Sequence, residues 1–185
     1  VRAADYAYAI KRLADPEAGS PMIGFMGRYI VGMEALTAEL ADVPRDGWLD
    51  LRDFDLEGVE VLDERNYTIT INGRYPQFVY WLAMHFFSPV PAEVDRFFHN
   101  PGFAESNLTL DWWPVGSGPF MMVKNDPNSE IVLERNPNYH GDVYPSEGAP
   151  GDREKGLLED AGKPVPFIDR AEFRLEKAVL PLWTK

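Results

Sequence analysis

A glycine-flanked serine in "GSGPF", residues 116–120, combines residue types that can cradle a phosphate or present a nucleophile. A phosphate loop places its glycines between a strand and a helix N-terminus, with Lys and Ser or Thr following, whereas here an apolar run at 120–123 follows. A nucleophile elbow separates its glycines from the serine and precedes a helix, and neither holds for Ser117. We therefore predict no catalytic residue here, and we expect Gly116 and Gly118 to adopt positive φ at a turn that enters a sheet.

Metal chemistry has little support in this sequence. The chain contains three histidines and no cysteine, so thiolate ligands and disulfides are excluded. The histidines, at 85, 99 and 140, share no helical spacing. We expect His85 to be a core residue among aromatics, His99 to end a small helix, and His140 to lie close to Asp142. Thirty acidic residues are scattered, and none has an isolated apolar setting that raises a carboxyl pKa. The prediction is no metal, no cofactor and no enzyme activity.

Binding chemistry is better represented, in "SPMIGFMGRY" at residues 20–29. Met22, Phe25 and Met26 are flexible or flat apolar groups beside glycines, and such a surface adapts to varied ligands. The alternative is an ordinary helix start packed on a hairpin. Adjacent aromatic pairs could also stack on ligands, although core packing with one ring inward and one outward is the simpler interpretation. The pairs are Tyr80-Trp81, Phe86-Phe87 and Trp112-Trp113.

Composition restricts the class of partner. The 185 residues carry a formal charge of −12, and the pI is about 4.6. Such a surface repels nucleic acid and keeps a protein soluble, or it attracts cationic ligands. The longest apolar tract, residues 78–87, is far shorter than the ~20 residues of a membrane span. Because the chain begins inside a helical pattern and shows no stop signal, we expect a fragment of a longer protein.

The elements that position these residues alternate between helix and strand. Apolar periodicity predicts helices over 3–14, 22–41, 75–84 and 92–100, the third being largely buried. Period-two alternation predicts a hairpin from Val59 to Ile71 and a second hairpin with strands 120–123 and 131–134 around a turn at 125–128. A third strand covers 167–177, with Ala171, Phe173 and Leu175 on one face. Residues 141–166 read as a long polar loop. The fold class is α+β, with mixed sheets, β-hairpins and short helices.

Five segments, taken in order, resemble the family 5 extracellular solute-binding proteins, the peptide- and nickel-binding group that supplies ABC importers. Each segment is weakly specific alone, and together they span nearly the whole chain. They are "VRAADYAYAIKRLADPEAGSP" (1–21), "GVEVLDERNYTITI" (58–71), "YPQFVYWLAMHFFSPVP" (75–91), "VGSGPF" (115–120) and "IVLERNPNYHG" (131–141).

The resemblance implies a fragment of a periplasmic-binding-protein-like II fold of the family 5 type. Residues 1–90 would be the later part of the small peripheral domain, and 91–185 an incomplete return into the larger lobe. The full-length protein would be a monomer, periplasmic or lipid-anchored outside the cell. It would clamp an oligopeptide or similar solute between lobes that close about a hinge and deliver it to a membrane permease.

Site residues follow from the resemblance position by position. The residue after the Ser-Pro of the first segment faces the ligand in peptide-binding members, and here it is Met22; Phe25 and Met26 are included by proximity. The "GSG" residues and Tyr139 match framework positions. Two departures occur: His140 replaces a usual Trp, and the 141–166 segment is longer than usual. Two alternatives remain open, a periplasmic sensor or structural domain of the same fold, and a hydrolase that uses a carboxylate or Ser117.

Overall fold

A computed structural model describes residues 1–176, which divide into two compact units, Val1–Thr109 and a second that begins at Leu110. The observed elements confirm the α+β class. The helices are α1 (Ala3–Ala14), α2 (Ile23–Tyr29), α3 (Met33–Ala41), α4 (Phe78–Trp81) and α5 (Ala92–Phe98). The strands are β1 (Val59–Val61), β2 (Tyr67–Ile69), β3 (Phe120–Asn125), β4 (Glu130–Arg135), β5 (Asp142–Val143), β6 (Pro164–Val165) and β7 (Arg170–Arg174).

Helix α1 organises the first unit, as its apolar periodicity predicted. The Asp5 carboxylate accepts a hydrogen bond from the backbone N–H of Arg2 at 2.7 Å, which satisfies a free donor at the helix start. Its buried face includes Ile10 and Leu13, and Tyr6 stacks on Tyr67 of β2 with ring centroids 5.4 Å apart. The helix contacts α3 and the β1–β2 hairpin. One helix thus packs against both a second helix and a sheet.

The predicted single helix over 22–41 is two helices, α2 and α3. Ile30, at the break, forms an antiparallel bridge with Ile71 and is fully buried. Gly32 follows with φ 78°, a left-handed conformation that favours glycine. The break therefore places residues 30–31 beside the hairpin, where the backbone N–H of Val31 donates to Thr70 O at 3.1 Å. Sheet pairing prevails over helical continuity at this point.

The prediction of a largely buried helix over 75–84 is wrong in both the length and the burial of the helix. Helix α4 is one turn, and a short 3₁₀ turn, His85–Phe87, follows it. Phe78 is buried, but Val79 is 60% and Tyr80 74% exposed. His85 is also exposed, so its predicted core position is wrong. Its ring lies 4.0 Å from that of Phe86, and aromatic neighbours in sequence did not mean burial.

The second unit contains an antiparallel sheet of order β3-β4-β7, which confirms the predicted strands. Ile131 lies opposite Phe173 and Leu133 opposite Ala171, so these apolar residues share one face. On the other face Val132 is 1% exposed, and its direct cross-strand neighbours are Lys124 and Glu172. The strands have their predicted places, and the most buried residue of β4 is Val132, on the face opposite to Ile131 and Leu133. The predicted strand over 167–177 ends at Arg174, and Lys177 lies outside the described residues.

The two ends of the long 141–166 segment are paired with each other. Strand β5 pairs with β6, with Asp142 opposite Val165 and Val143 opposite Pro164. Just inside this pair the N–H of Tyr144 donates to Lys163 O at 2.9 Å, and the N–H of Gly162 donates to Tyr144 O at 3.0 Å. The intervening residues form successive turns. The segment is thus a loop that begins and ends at one short ladder.

Candidate ligand-binding site

The Ser-Pro segment positions Met22 at the start of α2. The backbone N–H of Met22 donates to Ser20 Oγ at 3.3 Å, a local turn in which the serine side chain takes part. The carbonyl of Met22 accepts from the N–H groups of Phe25 and Met26 at 3.0 and 2.8 Å, so the first helical turn begins there. Its side chain is partly buried against the core of the unit. The Ser20 side chain and the first turn of α2 therefore fix the backbone at Met22.

Phe25 and Met26, the other two candidate residues, have different environments. Met26 is 0% exposed and belongs to the core, whereas Phe25 is only partly buried. Met26 would therefore support a site from beneath, whereas Met22 and Phe25 keep accessible surface. Assignment of the three residues to ligand binding stays a prediction.

Phe25 belongs to an aromatic cluster, which we define as Phe25, Tyr29, Tyr75 and Trp81. The Phe25 ring lies 4.9 Å from Tyr29 and 4.6 Å from Trp81 between centroids. Tyr29 and Tyr75 stack at 4.6 Å with an interplanar angle of 20°. Trp81 Nε1 donates to the Tyr75 hydroxyl at 3.0 Å. All four residues are partly exposed and pack against the core of the unit, so the cluster is an aromatic layer between that core and the surface.

The backbone holds the two halves of this cluster together. Phe25 and Tyr29 are one turn apart on α2, where i and i+4 side chains meet. Tyr75 lies in the segment that follows the β1–β2 hairpin. The N–H of Asn72 in this segment donates to Tyr29 O at 2.7 Å, which brings the segment next to α2. The i, i+4 pair was readable in the sequence. The approach of Tyr75 and Trp81 depends on the Ile30–Ile71 bridge, and no local pattern indicated it.

Beneath the helices, a buried carboxylate joins three segments of the first unit. Asp95 of α5 is 4% exposed. Its Oδ2 accepts from the Tyr8 hydroxyl at 2.7 Å and from Trp48 Nε1 at 2.9 Å, and its Oδ1 lies 3.0 Å from Arg12 Nε. Burial, followed by the hydrogen bond to Asp95, raises the pKa of Tyr8 far above its ordinary value. The hydroxyl therefore stays a donor to this carboxylate.

A cleft of about 500 Å³ runs along α1, and two of the cationic side chains that line it, Lys11 and Arg52, are already engaged. The ammonium of Lys11 donates to the carbonyl of Phe54, and burial lowers the pKa of Lys11. The guanidinium of Arg52 donates to both oxygens of Asp50, which lowers the pKa of that carboxyl. Neither cation is free to hold an anion there.

The residues considered above for catalysis and for metal binding lie within residues 1–176. That range holds no group of three or more His, Asp or Glu side chains arranged to bind a metal ion. Within the same range the Ser117 hydroxyl makes no hydrogen bond to a histidine or carboxylate. Gly116 and Gly118 do not have positive φ, so that prediction is wrong. His99 does end α5 as predicted, with Nδ1 2.7 Å from Asp95 O.

The "GSGPF" and "NPNY" segments are tied to each other. Asn136 Nδ2 donates to Gly118 O at 2.9 Å, and the N–H of Asn136 donates to Pro119 O at 2.9 Å. The Tyr139 hydroxyl donates to Asp142 Oδ2 at 2.7 Å, and its ring lies 4.5 Å from the His140 ring. These contacts give both segments a framework function at the end of the β3–β4 hairpin.

Comparison with known proteins identifies the class to which this arrangement belongs. The structure matches an oligopeptide-binding protein from Borrelia burgdorferi with a TM-score of 0.64 at 20% identity, over 100% of this chain and 29% of that one. It also matches Haemophilus influenzae OppA in complex with the peptide RPPGFSPFR, with a TM-score of 0.54 at 21% identity, over 76% of this chain and 24% of that one. The chain therefore has the fold of part of each of these two proteins.

Sequence comparison then gives the family. The family model "Bacterial extracellular solute-binding proteins, family 5 Middle" matches residues 1–175, and the chain belongs to this family. The periplasmic oligopeptide-binding protein OppA of Salmonella typhimurium is 29% identical over 140 residues, 75% of this chain and 23% of OppA. The dipeptide-binding protein DppE of Bacillus subtilis is also 29% identical, over 75% of this chain and 22% of DppE. The chain thus spans about a quarter of the length of these relatives.

The family membership places the chain among extracellular solute-binding proteins, as the sequence resemblance predicted. In the part of the chain that the structure describes, every helix is too short or too polar to cross a bilayer.

Proposed function

We propose that this chain is part of the substrate-binding component of an ABC importer, which holds an oligopeptide or similar solute and delivers it to a membrane permease. The observation that carries the proposal is the family match over residues 1–175, because the relatives it groups with are named as oligopeptide- and dipeptide-binding proteins. The protein would act outside the cytoplasmic membrane, periplasmic or lipid-anchored, as a monomer and without catalysis.

The mechanism is recognition followed by closure. In this scheme residues 1–90 are the later part of the small peripheral domain and 91–185 an incomplete return into the larger lobe. The ligand is clamped between the lobes of the full-length protein, which close about a hinge. Hydrogen bonds to the peptide backbone supply affinity that does not depend on sequence, and roomy pockets accept varied side chains through water. In this scheme Met22 and Phe25 contact the ligand, and the buried Met26 holds the turn that presents them.

The test is the identity of what the full-length protein retains on purification. Denaturing release and mass spectrometry should recover short peptides, and calorimetry with the same peptides should show saturable binding. Incubation with peptides and esters should leave them intact. Absence of any bound or binding peptide would contradict the proposal, and appearance of cleavage products would support the hydrolase alternative instead.

Met22→Asp in the full-length protein should weaken peptide binding by about 10- to 100-fold. The reason is that a methionine contact contributes about 1.5–3 kcal/mol through apolar surface removed from water, and a carboxylate at the same place loses that contribution. Isothermal titration calorimetry with a co-purified peptide measures the change. Met22→Leu, which conserves volume and apolar character, is the matched control and should bind within about threefold of the wild type. Equal affinity of wild type and Met22→Asp would remove Met22 from the site.

A further inference from the structure

We propose that the aromatic cluster of Phe25, Tyr29, Tyr75 and Trp81 extends the ligand site and selects peptides that carry an aromatic or large apolar side chain. This inference rests on the proposed function and specifies its substrate class. Met22 and Phe25 are three positions apart at the start of α2, where i and i+3 side chains are neighbours, and the N–H of Phe25 donates to Met22 O at 3.0 Å. The surface therefore continues from the predicted contact residue.

The cluster is distinct from the core beneath it. Met26 and Ile30, on the same segment as Phe25 and Tyr29, are fully buried. The four aromatic residues are only partly buried. A small domain gains most by burying such rings completely. Four rings that contact one another while retaining exposed surface are therefore suited to a further partner.

The polar atoms of the cluster specify what kind of partner fits. Trp81 Nε1 is satisfied by the Tyr75 hydroxyl, so this donor is used within the cluster. The proton of the Tyr75 hydroxyl and that of Tyr29 have no acceptor among residues 1–176. Two phenolic donors thus lie at the edge of an apolar ring surface. A peptide matches both features, since its carbonyls accept hydrogen bonds while an aromatic side chain packs on the rings.

The charge distribution disfavours acidic side chains in the peptide ligand. The chain has a formal charge of −12, and the cluster itself contains no charged group. An acidic ligand side chain would lose hydration against the rings, without gaining a cation from the cluster. The selected side chains are therefore Phe, Trp, Tyr, Leu or Met rather than Asp or Glu.

The experiment uses the full-length protein and an equimolar mixture of peptides of three to eight residues, alanine-based, with one position varied among Phe, Leu, Ala and Glu. Excess peptide is removed and the retained fraction is quantified by mass spectrometry. Wild type should retain Phe-containing over Ala-containing peptides by about tenfold, in the range that one apolar pocket provides. Tyr29→Leu and Tyr75→Leu keep apolar bulk but remove stacking and hydroxyl, and should reduce this ratio to about twofold.

Two controls separate recognition from folding. Phe97→Ala removes an exposed aromatic of α5 whose ring contacts are Phe98 and Phe103, and it should leave the ratio unchanged. Tyr75→Phe keeps the ring and should keep most of the Phe preference. Thermal midpoints of all variants are recorded, and a variant that unfolds is replaced by Trp81→Phe, which keeps an apolar ring and should shift the ratio in the same direction as Tyr29→Leu.

Each of the following outcomes would decide against the inference. An unchanged Phe-to-Ala ratio in folded Tyr29→Leu and Tyr75→Leu would overturn the inference. Wild type that retains peptides without any Phe preference would overturn it too, and would leave the proposed function intact. Wild type that retains no peptide would overturn both. If light scattering showed a wild-type dimer that Tyr29→Leu converts to monomer, with peptide preference unchanged, the cluster would be an interface between copies, and the inference would be wrong.

Discussion

Asp95→Asn should destabilise the first unit by about 3–5 kcal/mol, the cost of breaking a buried ion pair by removing one charge. The carboxylate is 4% exposed and receives bonds from Tyr8 and Trp48 as well as the Arg12 contact. An amide keeps one acceptor oxygen, but its NH₂ group faces donors. With the amide oxygen in the place of Oδ2, Tyr8 and Trp48 keep an acceptor, but the guanidinium of Arg12 loses its anionic partner and faces the NH₂ group; with the amide reversed, the two buried donors lose their acceptor instead.

Differential scanning calorimetry of the full-length protein, combined with hydrogen exchange of peptides from residues 1–109, measures this loss. The thermal midpoint of that unit should fall by more than about 10 °C, given 4–8 °C per kcal/mol for a domain of this size. Glu93→Gln is the matched control, because Glu93 is exposed on the same helix, and it should change stability by less than about 0.5 kcal/mol. Similar midpoints for the two variants would show that the Asp95 contacts contribute little.

Gly58→Ala should have the second large effect, about 3 kcal/mol or more of lost stability. A Cβ at position 58 would lie 2.6 Å from Val31 O, 2.9 Å from Val31 N and 3.0 Å from Thr70 O. These atoms belong to the backbone, which cannot rotate away as a flexible side chain can. They also form the bonds of this junction, from Gly58 N to Val31 O at 3.0 Å and from Val31 N to Thr70 O at 3.1 Å. Overpacking and broken hydrogen bonds therefore add.

Gly24→Ala provides the contrasting substitution. Gly24 lies in α2, and no atom is within 4 Å of a Cβ built there. Alanine should stabilise the helix by about 0.5–1 kcal/mol, because it restricts the unfolded chain and suits a helix. Chemical denaturation of both variants gives the comparison. A Gly58→Ala protein as stable as Gly24→Ala would show that the junction around Val31 moves freely.

Apolar periodicity in the sequence correctly predicted the elements that are formed by interactions between residues close in sequence. Helix α1 and the β1–β2 hairpin follow from side chains within a few residues of one another, and both have the predicted place. The break at Ile30 was missed, because it depends on pairing with Ile71, forty-one positions along the chain. His85 was placed in the core on the basis of its neighbours, although a one-turn helix exposes that stretch.

The candidate site shows the same limit. Methionines at 22 and 26 and the phenylalanine at 25 could be proposed from residue type, but residue type does not say that Met26 faces inward. Tyr75 and Trp81 come from a segment about fifty residues away, and the Asp95 contacts join residues 47 and 87 positions apart. Such associations are created by the tertiary fold. The order of the five family segments was a better guide to function than any single side chain.

The short β5–β6 ladder has a practical consequence. Residues 144 and 163 are hydrogen-bonded to each other. The β5–β6 ladder therefore bears the entropic cost of closing the intervening loop, and the three-stranded sheet does not. A fluorescent reporter or an affinity handle grafted between Arg153 and Leu157 would therefore leave the pairing of β4 with β7 as it is.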